Sequence, residues 1–151
     1  MAYKIGQQVF DEREWVRKGK GLILGAEKTL DILQSRDAQL GLVTMGDNKA
    51  QTEKIEVYGL RRWFQNNIFV CDKKTPQVFR EVMEKMRADI SRTWMIGNSI
   101  RSDVLPALEA GLRVVYIPCE TWDYDKKHNG LPNSPNLTKV NSIADLITYQ
   151  F

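Results

Sequence analysis

Short apolar runs alternate with amphipathic stretches from Gly25 to Pro118, and this alternation constrains the fold more than any other feature of the sequence. The amphipathic stretches, such as "AEKTLDILQS" and "TPQVFREVMEKM", show the spacing of helices, and Thr75 and Pro76 suit the start of the second one. The apolar runs, typical of buried strands, are 40–44, 67–71, 93–97 and 113–118. Strands that alternate with helices predict a three-layer, Rossmann-like α/β domain with a mostly parallel sheet.

The chain has the size and composition of one globular domain. It contains 151 residues, of which 42% are hydrophobic, and its net charge of +3 comes from basic residues scattered along the sequence. This distribution argues against a nucleic-acid binder, and the absence of an apolar run of about 18 residues argues against a membrane span. Cys71 and Cys119 do not have the spacing of a zinc or redox motif, which favours a reduced, cytoplasmic protein. We expect residues 25–151 to form the core domain and residues 1–24 a separate N-terminal segment.

Polar side chains follow three of the predicted strands. Thr44 closes the first strand, Lys73 and Lys74 follow the second, and Asn98 with Asp103 follows the third. The carboxyl ends of parallel strands meet at one edge of a sheet, where ligands bind. A hydroxyl, an ammonium and an amide with a carboxylate suit a phosphate group and a Mg²⁺ ion there. The residues alone leave a simpler interpretation open, in which Thr44 fills a strand, the lysines are solvated and Asp103 caps a helix.

With these motifs the sequence resembles the haloacid dehalogenase-like superfamily, whose members are mostly Mg²⁺-dependent phosphatases. "LGLVTMGD" is similar to the family's second motif, "DKKTPQVF" to the third and "GNSIRSDV" to the fourth. The resemblance implies that Thr44, Met45 and Lys74 bind the phosphoryl group, with Lys73 as a rival for the lysine position. It also implies Mg²⁺ as cofactor, held by Asn98 and Asp103, and a small phosphorylated molecule or an inorganic anion as ligand.

The first motif of that family, a D-x-D pair that supplies the nucleophile and the general acid, has no clear counterpart. The pattern occurs only at Asp123 and Asp125, downstream of the fourth motif, where a polar loop is the simpler interpretation. Upstream, Asp11 is a weak candidate nucleophile, because Arg13 stands where the second aspartate belongs. We therefore predict a core portion of such a hydrolase without catalytic turnover. The alternatives are an active phosphatase with a non-standard nucleophile, a fragment of a longer hydrolase, or a module that binds an anion or a partner.

The resemblance also predicts a gap in the sheet. In the family the first strand lies between the strand that bears Thr44 and the strand that leads to Asn98. Without it, buried backbone groups on both sides lack partners, at about 1 to 3 kcal/mol each. Three candidates can close the gap: the segment Tyr3–Phe10, a second chain, or direct pairing of the two flanking strands. An open sheet edge also favours self-association.

Overall fold

The computed structural model describes residues 21–118, 130–149 and 151, in which five short strands alternate with helices. The helices are α1 (Ala26–Ser35), α2 (Asn48–Val57), α3 (Arg61–Phe64), α4 (Pro76–Met86) and α5 (Leu105–Ala110). The strands are β1 (Leu42–Met45), β2 (Ile68–Cys71), β3 (Trp94–Gly97), β4 (Arg113–Tyr116) and β5 (Leu137–Lys139). Two 3₁₀ helices cover Ile90–Arg92 and Ile143–Ile147, and a π-helical turn covers Ile100–Val104.

Every strand pair in the described residues is parallel, which confirms the predicted α/β class. β1 pairs with β2, with Thr44 opposite Val70, while β3, β4 and β5 form a second sheet in that order. Strands β1 to β4 begin and end within two residues of the four predicted runs. Their apolar runs are therefore parallel strands, as their composition indicated.

The two sheets are separate at the position where the sequence predicted a gap. β1 and β3 are the flanking strands, and no ladder joins them among the described residues. Direct pairing of these strands, one of the three candidates for closing the gap, is therefore wrong for the described part of the chain. The segment Tyr3–Phe10 lies outside the described residues. A second chain at the gap stays a prediction.

One hydrophobic core connects the two sheets. Helix α4 buries Phe79, Val82, Met83 and Met86 on one face, and these side chains cluster with buried residues of α5 and β4. Partly buried residues from both sheets, among them Phe69 on β2 and Met95 on β3, pack against the same cluster. The apolar face of α4 thus holds the sheets together although they share no strand ladder.

The start of α4 follows from its sequence. The Thr75 hydroxyl accepts a hydrogen bond from the N–H of Val78 at 3.2 Å, and Pro76 occupies the first turn, both as predicted. The stretch "SIADLITYQ" from Ser142 predicts a final helix, but the structure has a short 3₁₀ helix over Ile143–Ile147, with a capping box between Ser142 and Asp145. In the residues that the structure describes, no helix is long and apolar enough to cross a membrane.

Candidate functional site

Asp103 is the centre of the polar contacts at the strand ends. Its Oδ1 atom lies 2.6 Å from Lys74 Nζ, and its Oδ2 atom accepts the backbone N–H groups of Asn98 at 3.1 Å and Ser99 at 3.0 Å. Only 4% of Asp103 is exposed. A buried carboxylate is stable only when it is paired and hydrogen-bonded, and here both oxygens are engaged.

The backbone after β3 brings this carboxylate back towards the strand. Ser99 begins the π-helical turn, and its hydroxyl accepts the N–H of Ser102 at 3.2 Å. Asp103 lies inside that turn, with its N–H bonded to the Ser99 carbonyl at 2.9 Å. Ser99, rather than Asp103, is therefore the N-cap. The simpler interpretation of Asp103 as a helix cap does not describe its contacts.

Gly97 at the end of β3 leaves the space that the Asp103 carboxylate occupies. A Cβ atom at position 97 would lie 2.5 Å from Asp103 Oδ2 and equally close to Asp103 Cβ. Real side chains do not approach so closely, so a larger residue at position 97 would push the carboxylate away from the Asn98 and Ser99 N–H groups. The glycine of "MIGNSIRSDV" is thus required by packing.

The two lysines after β2 have different environments. The side chain of Lys74 is 15% exposed in its ion pair with Asp103, whereas Lys73 lies exposed on the surface. The contact also crosses between the two sheets, since Lys74 follows β2 and Asp103 follows β3. Of the two rivals, Lys74 is the one that joins the strand-end cluster.

Thr44 makes a contact that the sequence did not predict. Its hydroxyl donates a hydrogen bond to Oε1 of Gln51 at 2.7 Å. Gln51 lies near the start of α2, seven residues after Thr44 along the chain. The position of Gln51 in the sequence could have predicted this contact. It comes shortly after the start of a helix that directly follows a strand, and side chains near the start of such a helix point back towards the strand.

Met45, the other residue expected to bind phosphate, ends β1 and is 43% exposed. The N–H of Leu42 bonds to the carbonyl of Asn67, directly before β2, and the N–H of Gly46 to that of Cys71, the last residue of β2. Alternate residues of a strand direct their backbone groups to opposite sides, so the Met45 N–H points away from β2. It therefore points to the edge of β1 with which no described strand pairs.

Cys71, the last residue of β2, contacts the Thr44 backbone and is affected by the charge of Lys74. Its Sγ atom lies 3.5 Å from the Thr44 carbonyl oxygen. Burial raises the pKa of the Cys71 thiol; the positive charge of Lys74 partly offsets this rise, and the negative charge of Asp72 adds to it. The thiol is therefore a protonated, weakly polar neighbour of the site at neutral pH.

The structure thus brings Lys74, Asp103 and the backbone of Asn98 together, and it connects Thr44 to Gln51. The side chain of Asn98 is exposed. Among the remaining candidates, Asp11, Asp123 and Asp125 lie outside the described residues.

The described residues do not by themselves form a Mg²⁺ site. They contain no group of three His, Cys, Asp or Glu side chains placed to hold a metal ion. Both oxygens of Asp103 are engaged by Lys74 and two N–H groups, and Asn98 would supply only a neutral oxygen. Because Mg²⁺ is usually held by carboxylates, the metal roles of Asn98 and Asp103 stay predictions.

The family model "haloacid dehalogenase-like hydrolase" matches residues 5–111. A glyceraldehyde 3-phosphate phosphatase of Methanothermobacter thermautotrophicus is 26% identical over 125 residues, which are 78% of this chain and 54% of the relative. With a Pyrococcus abyssi relative of the same name the match covers 40% of that protein. The chain therefore spans about half the length of the curated relatives it matches, or less.

Solved structures agree with the family match. A haloacid dehalogenase-like family hydrolase from Xanthomonas campestris superposes with a TM-score of 0.71 at 31% identity, over 83% of this chain and 52% of that one. The HAD-hydrolase YfnB from Bacillus subtilis, a structure bound to magnesium, has a TM-score of 0.63 at 23% identity, over 90% and 59% of the two chains. From the family model and these structures together, the chain belongs to the haloacid dehalogenase-like hydrolase family.

Proposed function

We propose that the chain forms the phosphoryl-binding part of a hydrolase for small phosphorylated metabolites. We further propose that these 151 residues alone do not turn such substrates over. The observation that carries the first statement is the buried Lys74–Asp103 pair, which fixes an ammonium group at the carboxyl ends of the strands. The names of the two curated relatives support a small phosphorylated metabolite as the substrate class.

In this proposal Lys74 balances the charge of the phosphoryl group. An ammonium has three N–H donors, and Asp103 takes one of them at 2.6 Å, so the same group is able to donate to a phosphoryl oxygen as well. Asp103 acts through Lys74 and through the loop, because its second oxygen holds the Asn98 and Ser99 N–H groups. The Thr44 hydroxyl and the Met45 N–H are further donors towards the anion.

The absence of turnover rests on the sequence. Family chemistry forms an aspartyl-phosphate, in which a carboxylate oxygen attacks phosphorus and the ester oxygen leaves with a proton from a general acid. The chain has D-x-D only at Asp123 and Asp125, downstream of Lys74 and Asn98. Phosphate monoesters hydrolyse very slowly without such help, and positioning alone recovers only part of the acceleration.

A kinetic assay tests the second statement. The purified 151-residue chain is incubated with an activated aryl phosphate and Mg²⁺, and we expect no phosphate release above the buffer rate. Turnover that disappears in both Asp103→Ala and Asp11→Asn would overturn the proposal and make Asp11 the nucleophile. Turnover that neither substitution changes would identify a contaminating phosphatase.

Anion binding tests the first statement, and the two neighbouring lysines supply a matched pair of variants. We expect inorganic phosphate to shift the backbone N–H resonances of Met45, Asn98 and Ser99 in a ¹H–¹⁵N spectrum. Lys74→Gln should weaken this binding by about tenfold or more, the scale of a hydrogen bond to a charged group. Lys73→Gln removes the same charge from the exposed neighbour and should change it little. Equal effects of the two substitutions would contradict a specific role for Lys74.

A further inference from the structure

We propose that Gln51 is a positioning residue that sets the direction of the Thr44 hydroxyl hydrogen and so controls anion binding at the strand ends. This inference rests on the function proposed above. It starts from the hydrogen bond between Thr44 Oγ1 and Gln51 Oε1, which at 2.7 Å is the only side-chain hydrogen bond of either group in the described part of the chain. A Thr hydroxyl has one hydrogen, and in this arrangement the hydrogen goes to the amide oxygen of Gln51.

The backbone fixes Gln51 in this position. Asp47 caps α2, accepting the N–H of Ala50 at its side chain and the N–H of Gln51 at its carbonyl, both at 2.9 Å. The amide nitrogen of Gln51 lies over Gly46, where an added Cβ atom would be only 2.8 Å from Nε2. Gly46 also has a φ of +142°, a conformation that favours glycine. The turn between β1 and α2 thus leaves a space that fits the Gln51 amide beside Thr44.

The chemistry of the amide explains why glutamine suits this place. Phosphate and sulfate oxygens accept hydrogen bonds, so Thr44 binds such an anion only when its hydrogen turns away from Gln51. A half-turn of the amide then places Nε2 against Thr44 Oγ1, and the nitrogen donates to the hydroxyl oxygen. Gln51 accepts from Thr44 when the site holds water and donates to it when the site holds an anion. A glutamate can only accept while it is ionised, and a leucine does neither.

Three variants separate this role from general electrostatics, with sulfate as the probe because its charge is constant above about pH 3. Gln51→Glu should weaken sulfate binding at about pH 7 by roughly tenfold or more, since the carboxylate keeps the Thr44 hydrogen. Asn48→Glu adds the same charge to an exposed position of the same helical turn and should weaken it less than about threefold. Gln51→Leu removes both the acceptor and the donor for Thr44 without adding charge, and should weaken sulfate binding by a factor between those of the two glutamate variants.

The pH dependence is the readout that a merely structural role would not change. A protonated glutamic acid again offers a donor to Thr44 Oγ1, so sulfate binding by Gln51→Glu should recover towards the Asn48→Glu value near pH 4.3, the ordinary glutamate pKa. In the Thr44→Val background the Gln51→Glu effect should shrink to that of Asn48→Glu. In the unsubstituted chain, sulfate should shift the side-chain amide resonances of Gln51 and leave those of Gln77, which donates to Glu81, in place.

The results distinguish the two proposals. If the unsubstituted chain binds sulfate but Gln51→Glu and Asn48→Glu are weakened equally, or no recovery occurs at low pH, Gln51 has no positioning role and the proposed function still stands. If the unsubstituted chain binds neither sulfate nor phosphate, the proposed function and the role of Gln51 both fail.

Discussion

Lys74 and Asp103 form a buried ion pair that connects the two parallel sheets, with 2.6 Å between Nζ and Oδ1 and side chains that are 15% and 6% exposed. A second pair, Arg61 and Glu56, has the same 2.6 Å separation, but its side chains are 52% and 57% exposed. Both pairs join a cation to a carboxylate at the same distance, but Asp103 is buried and also accepts two backbone N–H groups, whereas Glu56 is exposed. They therefore allow a buried, hydrogen-bonded ion pair to be compared with an exposed one within one chain.

The first prediction compares the loss of one partner from each pair. Asp103→Ala leaves a buried Lys74 charge and two backbone N–H groups without their acceptor, and should lower the free energy of unfolding by about 3 to 5 kcal/mol. Glu56→Ala removes an exposed partner and should cost no more than about 1 kcal/mol. Urea unfolding followed by circular dichroism measures both. Similar losses in the two variants would show that burial does not set the strength of the Lys74–Asp103 pair.

Gly97 and Gly59 give a second prediction. Gly97→Ala places a Cβ atom 2.5 Å from the Asp103 carboxylate and should destabilise the chain by about 3 kcal/mol, at the upper end of overpacking. Gly59 has a φ of +62° but no neighbouring atom within 4 Å of an added Cβ, so Gly59→Ala carries only the left-handed backbone strain of about 1 kcal/mol. Thermal or urea unfolding compares them. A Gly97→Ala chain as stable as Gly59→Ala would mean that the carboxylate moves away at little cost.

The sequence predicted the strands and the Lys74–Asp103 region because each depends on local patterns. Apolar runs such as "RVVYIP" are strands since both faces of a parallel sheet are buried, and Thr75 with Pro76 marks a helix start by its own chemistry. Asp103 was predicted as a metal ligand. Its observed contacts with Lys74 and two N–H groups depend on the distance between two sheets, which no spacing along the chain reveals.

Gln51 was not predicted, for a different reason. A glutamine in a helix is ordinarily solvated, and only the turn at Gly46 brings its amide to the Thr44 hydroxyl. The final helix was predicted longer than the 3₁₀ helix Ile143–Ile147, although the capping box at Ser142 marks its start correctly. Helix starts have local chemical signals, whereas the length of a short helix depends on the tertiary contacts that follow.

A third prediction concerns the aromatic residues near the last described position. The centroid of the Trp94 ring lies 5.3 Å from that of Tyr149 and 5.6 Å from that of Phe151, and both rings are nearly perpendicular to it. The hydroxyl oxygens of Tyr149 and Thr138 lie 2.9 Å apart. A double-mutant cycle with Trp94→Leu and Tyr149→Leu should give a coupling energy of about 0.5 to 1.5 kcal/mol. Tyr149→Phe is the control, because it keeps the ring contact and removes only the hydroxyl. A coupling near zero would show that the rings add nothing beyond the apolar surface they cover.

The last prediction uses the raised pKa of Cys71. Burial raises the pKa of this thiol, Lys74 partly offsets the rise, and Asp72 adds to it. A group whose pKa is higher in the folded chain than in the unfolded chain contributes stability below the unfolded pKa and loses that contribution as the pH rises through the folded pKa. The thiolate is the form that iodoacetamide alkylates. In a Cys119→Ser chain, the alkylation rate should therefore reach its midpoint at a higher pH when the chain is folded than when it is unfolded in urea, because folding raises the pKa of Cys71.

Two lysine variants serve as test and control. Lys74→Gln removes the offsetting charge and should raise the midpoint further, whereas Lys73→Gln, at the exposed neighbour, should change it little. Melting curves of each variant establish that the folded chain is the species measured. A folded midpoint below the unfolded one, or a midpoint that falls in Lys74→Gln, would contradict both the burial of Cys71 and the position of the Lys74 charge beside it.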